Sequence, residues 1–260
     1  MAAKDMRSQA KENLDAQAAQ KRRDRMISVI GAVVVAVVVV GVITAAVVTK
    51  NKKQDVSAAK VPVGVSKVDY GVNFGNPKPG APTVELFEDF QCPACAAFEP
   101  GNGSRLVDWA KQGKIKLVWH PAAFLDDAKA AENQANGNPQ SSKRATAAWG
   151  CAIDAGVASE YHEIVFKNQP QQEGQGYSDI TLLTLGSQVV PRSKVKAFAD
   201  CVSNGTYRDW AAASAAYFNQ RGVTSTPTVF INGKEQKSTI LFEPSGKQLL
   251  SAIEAATKKS

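Results

Sequence analysis

The chain has 260 residues, room for one large globular domain with appendages or for two small ones. Its formal net charge is +7, but residues 1–60 carry eleven Lys plus Arg against five acids, while residues 61–260 carry twenty against nineteen. The basic excess therefore lies in the tail. This excludes a nucleic-acid-binding domain, which needs its Lys and Arg on the folded face that meets the phosphates.

In chain order, residues 1–25 hold Ala, Gln, Lys, Arg and Asp with almost no large apolar side chain, so they cannot bury enough surface to offset ordering entropy. Residues 26–48 follow, twenty-three positions without a charge and mostly Val, Ile and Ala. As a helix they measure about 34 Å against a hydrocarbon core of roughly 30 Å, which predicts a transmembrane span. The competing reading is a cleaved signal peptide behind the basic cluster Lys21, Arg22, Arg23 and Arg25. Signal cores are about 7 to 15 residues long and end in a small-x-small site, whereas this run is longer and ends Val47-Val48-Thr49-Lys50. An uncleaved signal anchor fits better. The Lys and Arg before the span outnumber those behind it, which places residues 1–25 in the cytoplasm and the rest outside. All four cysteines lie beyond the span, where an oxidising compartment lets disulfides persist.

Residues 49–69 read as a polar linker, and the core domain is expected over residues 70–258. The stretch Gly75-Asn76-Pro77-Lys78-Pro79-Gly80-Ala81-Pro82 is a turn-rich approach to a strand over residues 83–90, rich in β-branched and aromatic side chains. A helix over residues 93–112 and a short strand over residues 115–119 come next. Residues 126–220 are Ala-rich with helical spacing, with Ser178 and Ser193 as candidate N-caps, and predict an all-helical insertion. Residues 228–231 then form a strand. Asn232-Gly233 is a two-residue hairpin turn, residues 234–241 return as its partner, and Ser245 caps a last helix to Lys258. Helices alternating with these strands indicate an α/β fold packed around a central sheet.

Chemistry concentrates at Gln91-Cys92-Pro93-Ala94-Cys95, where the first strong strand passes into its helix. Pro93 suits the first helical position, because its fixed φ fits and an N–H there has no intrahelical partner. Cys92 is then the N-cap. A thiolate there can accept from the free N–H groups of Ala94 and Cys95 and lies at the positive end of the helix dipole, so its pKa should fall below about 8.5. Cys92 is the expected nucleophile and Cys95 the resolving thiol of a redox-active disulfide. Half of a zinc site is the alternative, but it needs two more ligands at close spacing. Cys151 and Cys201 lie fifty residues apart, and His120 and His162 each stand alone, so no metal or other cofactor is expected.

Three stretches resemble the thioredoxin fold, and within it the disulfide-forming oxidases of the DsbA type: residues 83–95, ending Gln-Cys-Pro-Ala-Cys; the helical insertion; and residues 222–233, Gly-Val-Thr-Ser-Thr-Pro-Thr-Val-Phe-Ile-Asn-Gly. The resemblance covers about residues 70–258. It implies that Pro227 is cis and faces the cysteine pair, and that Thr226 offers backbone hydrogen bonds to an extended substrate strand. Read without the family, Pro227 only opens a strand, where its missing N–H does no harm.

Two positions depart from the family pattern. Ala94 stands where the best-known oxidases carry a thiolate-stabilising His, which suggests a milder oxidant. Leu86 occupies the position, six residues before the nucleophile, that commonly holds a buried acid. Glu85, Glu88 and Asp89 could substitute, but strand alternation does not place them and a surface carboxylate is the default for each.

Cys151 and Cys201 fall in two helices of the insertion and are expected to form a structural disulfide, with two buried free thiols as the alternative. His120 is expected to be packed or solvated rather than catalytic. Phe87, Phe90 and Phe124 are expected in the core, although Phe90 could also border a substrate groove.

The combined expectation is a single-pass membrane protein whose external thioredoxin-like domain introduces disulfides into exported polypeptides and is reoxidised by a membrane redox partner. A reductase or isomerase is the first alternative. A non-catalytic peptide-binding or copper-carrying module is the second, because fold alone does not secure function.

Overall fold

The computed structural model describes residues 59–243 and 245–257. The expected cytoplasmic tail, the span over residues 26–48 and the linker up to residue 58 lie outside the described residues, as does Lys258. Among the described residues no helix is long and apolar enough to cross a membrane.

A five-stranded sheet forms the centre. Its strands are β1 (Val72–Phe74), β2 (Thr83–Glu88), β3 (Lys116–Pro121), β4 (Thr228–Ile231) and β5 (Lys234–Glu235), in the order β1-β3-β2-β4-β5. Strands β2 and β3 run parallel and every other pair is antiparallel. Because β2 is central, one of its faces is buried along the strand at Val84, Leu86 and Glu88, while the other is partly open at Thr83 and Glu85 and closes at Phe87. Val84 and Leu86 on one face and Phe87 on the other are fully buried. Phe87 stacks on His120 at 4.4 Å between ring centroids.

From β2 the chain enters α1 (Pro93–Phe98), a π turn (Glu99–Gly103) and α2 (Ser104–Lys111). The helix expected over residues 93–112 is therefore present but widened in the middle. Pro100 explains the widening: it has no N–H to donate, and its ring crowds the carbonyl one turn back, so the ladder spreads there.

The regular structure of the insertion is all helical: α3 (Leu125–Ala128), α4 (Ala130–Ala135), α5 (Ser141–Ala155), α6 (Ala158–Lys167), α7 (Asp179–Val189), a 3₁₀ turn (Arg192–Lys194), α8 (Val195–Ser203) and α9 (Arg208–Gln220), with an irregular segment between α6 and α7. Trp149, Tyr161, Tyr177, Leu182 and Trp210 fill its interior and join the core beneath the sheet. Ser178 caps α7 as expected, its hydroxyl accepting from Thr181 N at 3.0 Å. Ser193 does not cap α8; it lies inside the 3₁₀ turn that Pro191 opens, and Lys194 precedes the helix.

The hairpin turn at Asn232-Gly233 takes the positive φ values, 47° and 77°, that a two-residue turn requires. Its return strand is shorter than expected. The strand ends at Glu235, with one last backbone bond from Gln236 N to Val229 O, and residues 238–241 coil into α10 (Ser238–Leu241), which buries Leu241 against the core. The last described element is α11 (Lys247–Thr257), whose first amides are capped by Glu243 together with Ser245.

Candidate active site

The turn from β2 into α1 is held from several sides. Asp89 Oδ1 accepts from Gln91 N at 2.9 Å, Asp89 Oδ2 accepts from Leu125 N at 2.9 Å, and Cys92 N donates to Asp89 O at 2.9 Å. The insertion adds two clamps. Gln169 Nε2 donates to the carbonyls of Phe90 and Cys92 at 2.8 and 3.0 Å, and Tyr177 Oη donates to Phe90 O at 3.0 Å. Neither Gln169 nor Tyr177 carries a sequence signal, because each reaches the turn from about eighty residues away through an irregular segment.

Within this frame Cys92 is the N-cap of α1, in an extended conformation, and Pro93 is the first helical residue. Both cysteines are free thiols and both are buried. Cys92 Sγ donates to the carbonyl of Thr226 at 3.4 Å, and the Thr226-Pro227 peptide is cis. The cysteine pair and the proline loop therefore meet, although 134 residues separate Cys92 from Thr226.

The two sulfurs are electrostatically unlike. The Cys95 thiol, acting against burial, does most to bring Cys92 down to about 6; the Thr226 side chain and the amides of Cys95 and Ala94 add to this. Cys95 is completely enclosed. Burial first, then Cys92 and the charge of Glu88, push its thiol well above the usual range. These opposite shifts favour the thiolate at Cys92 and the thiol at Cys95, the polarity that a nucleophile and a resolving group require. The Thr226 hydroxyl is buried beside the pair with no hydrogen-bond partner of its own, so it is available to donate to a Cys92 thiolate, and it draws the Cys92 pKa down.

The three carboxylates of the strand end need a correction. Glu88 and Asp89 are not on the surface: both are buried, at 3% and 1% exposure, and only Glu85 is partly open. Glu88 shares the buried face of Val84 and Leu86, and Asp89, just past the strand, turns into the loop whose amides it binds. Asp89 is spent on the turn and on Ser142 Oγ, which donates to it at 2.6 Å. Glu88 Oε2 accepts from Trp119 Nε1 at 2.7 Å and faces His162 Nε2 at 3.4 Å.

His162 is likewise not alone, since its Nδ1 lies 3.6 Å from Glu99 Oε2. His120 is packed, as expected, against Phe87 and beside Glu85. Phe90 is a core residue rather than a groove wall, lying against Trp149, His162 and Phe166. Cys151 and Cys201 form a disulfide joining α5 to α8.

The thioredoxin family profile matches residues 67–250, most of the chain and all of the site. The chain belongs to the thioredoxin family. None of the curated proteins compared with it matches in sequence. Among solved structures, oxidised DsbA of Mycobacterium tuberculosis is 26% identical, with a TM-score of 0.57, over 72% of this chain and 92% of that one. The disulfide bond oxidoreductase DsbG of the same organism is also 26% identical, with a TM-score of 0.56, over 72% and 86%. MdbA, a thiol-disulfide oxidoreductase of Actinomyces oris, shares the fold at 20% identity and a TM-score of 0.59, over 76% and 90%. With DsbA and the oxidoreductase DsbG as relatives at 26% identity, the protein is a thiol-disulfide oxidoreductase.

Proposed function

We propose that the protein introduces disulfide bonds into exported polypeptides, with Cys92 as nucleophile and Cys95 as resolving thiol. The observation that carries this is the unlike placement of two thiols in one turn: Cys92 is the N-cap of α1 beside the Thr226 carbonyl and the cis Pro227, which favours its thiolate, and Cys95 is fully enclosed, which pushes its thiol up. Stabilising the Cys92 thiolate stabilises the reduced enzyme, and a stabilised reduced form makes the disulfide an oxidant. A substrate thiolate attacks Cys92 Sγ and forms a mixed disulfide. A second substrate thiolate then attacks the substrate sulfur of that bond, and Cys92 leaves as the thiolate its surroundings favour.

The backbone of Thr226, next to Pro227 and the nucleophile, is the edge along which an extended substrate segment would hydrogen-bond. In this reading residues 70–258 form the catalytic domain, residues 26–48 anchor it in the membrane, and residues 1–25 stay in the cytoplasm. A membrane redox partner reoxidises the pair. The uncharged run of residues 26–48, its flanking Lys and Arg, and the cysteines behind it support that placement.

The second reading, a reductase or isomerase, draws on Ala94, which supplies no positive charge to the thiolate. The deciding experiment gives the oxidised full-length chain, in a mild detergent, a reduced and unfolded model protein with two native disulfides. Net oxidation of the substrate supports the proposal. Activity only from the reduced chain on an already oxidised substrate supports the second reading.

A further inference from the structure

Three side chains on one face of α6 meet the redox turn. His162, Phe166 and Gln169 follow the spacing that lines residues up along a helix, and Gln169 N still donates to Phe166 O at 3.1 Å before Pro170 bars any extension. His162 faces Glu88 of β2 at 3.4 Å, and the Phe166 ring lies 5.1 Å from that of Phe90. Gln169, half-buried, then reaches the backbone on either side of the nucleophile.

The chemistry of that contact is particular. The carbonyls of Phe90 and Cys92 belong to the peptide units before Gln91 and after Cys92, and Gln169 Nε2 bonds both. A carboxamide carries two hydrogens on one nitrogen, one for each carbonyl. Neither carbonyl needs Gln169 to be satisfied, because Phe90 O also accepts from Tyr177 Oη at 3.0 Å and Cys92 O from Ala96 N at 3.2 Å. What Gln169 adds, alone among the described residues, is a tie between the two carbonyls across the nucleophile. On the other side Cys92 N is fixed to Asp89 O, so the backbone angles of Cys92, φ −78° and ψ 116°, are held from both ends. Those angles decide whether Sγ stands over the N–H groups of Ala94 and Cys95, which are among the groups that favour its thiolate.

We infer that Gln169 is a positioning residue for the nucleophile: the tie it makes between the Phe90 and Cys92 carbonyls keeps Cys92 Sγ over the first amides of α1, so the insertion governs the reactivity of a cysteine pair it does not contain. The inference rests on the proposed role of Cys92 as nucleophile. Gln169 acts through the backbone of the turn. The Cys151–Cys201 disulfide is not on this route, since it joins α5 to α8 while the tie leaves from the end of α6. Cys95 on α1 is the titratable group that faces Cys92, and it is unchanged in every variant below.

The test is alkylation of Cys92 by iodoacetamide in the reduced full-length chain in detergent, from about pH 4 to 9, read on the Cys92 peptide by mass spectrometry. Gln169→Leu keeps the size and loses both donors. Its midpoint should rise by about one pH unit, which makes alkylation at about pH 5 roughly tenfold slower. Gln169→Glu loses both donors and adds a negative charge beside the carbonyls, so its midpoint should rise further. Gln169→Lys, whose ammonium can donate to both carbonyls, should return to the wild-type midpoint or fall below it. Gln171→Leu, exposed on the same segment, should leave the midpoint in place. A loosened fold would move all three substitutions at position 169 the same way, so recovery in Gln169→Lys is a reading that a packing role does not give. Superimposable profiles for the wild type, Gln169→Leu and Gln169→Glu would overturn the inference, as would Gln169→Lys displaced upward as far as Gln169→Leu. If the midpoints separate as stated but the wild type oxidises no substrate, the inference holds and the proposed function fails. If the wild type oxidises substrate and the profiles coincide, the function holds and the inference fails.

Discussion

The protein carries two cysteine pairs in two regions, and they are built for opposite ends. In the sheet-and-α1 region Cys92 and Cys95 lie one helical turn apart, are free thiols, and feel unlike fields. In the insertion Cys151 and Cys201 are fifty residues apart, joined, and packed between two helices. A bridge over four residues removes little entropy from the unfolded chain, so the first pair can open and close without deciding whether the domain is folded. A bridge over fifty residues contributes on the order of 4 kcal/mol by loop entropy, so the second pair serves stability. The redox pair is set by local fields, and the structural pair by chain topology.

The sharpest way to break this comparison is at the nucleophile. Cys92→Ser should reduce disulfide transfer to background with the fold intact, and Cys95→Ser should accumulate a mixed disulfide with substrate, visible by non-reducing electrophoresis and mass spectrometry. The next largest effect belongs to the other pair. Replacing Cys151 and Cys201 by Ala should cost up to about 4 kcal/mol in urea unfolding while leaving the pH profile of Cys92 alkylation unchanged. A changed alkylation profile would show that the two pairs are not separable.

A third effect is a pH dependence. Alkylation of Cys92 should be half-maximal near pH 6, well below an ordinary thiol. Because its folded pKa lies under its unfolded one, the thiolate's contribution to the reduced protein is fully present above the ordinary thiol range. It declines as pH falls and is lost below about 6. The oxidised protein should lack this dependence. The smallest effect is Thr226→Val, which removes one neutral donor and should raise the alkylation midpoint by up to about one pH unit with little change in stability.

What was legible in the sequence was local chemistry. Cys92 and Pro93 mark a helix start, Asn232-Gly233 marks a hairpin, and Ser178 caps the helix that follows it, each through bonds made within a few residues. The cis peptide at Pro227 came through family resemblance, since the residues around it have no local need for it. The cluster around Glu88 was not legible. Its members come from β2, β3, the π turn and α6, and the surface default for Glu88 and Asp89 fails because Glu88 lies on the buried face of β2 with Val84 and Leu86 and Asp89 is drawn into the turn by its hydrogen bonds. The return strand expected over residues 234–241 is present but short, as β5, for a related reason: burial of Leu241, a tertiary effect, ends the strand that the hairpin turn begins.

The measurement that tests the central claim most directly is the equilibrium reduction potential of the Cys92–Cys95 pair in glutathione buffers, with Cys151 and Cys201 followed separately by mass spectrometry. The polarised pair predicts an oxidising value, roughly −120 to −180 mV, because the Cys92 thiolate stabilises the reduced form. A value near about −270 mV would contradict the oxidase account and assign the same two sulfurs to a reductase.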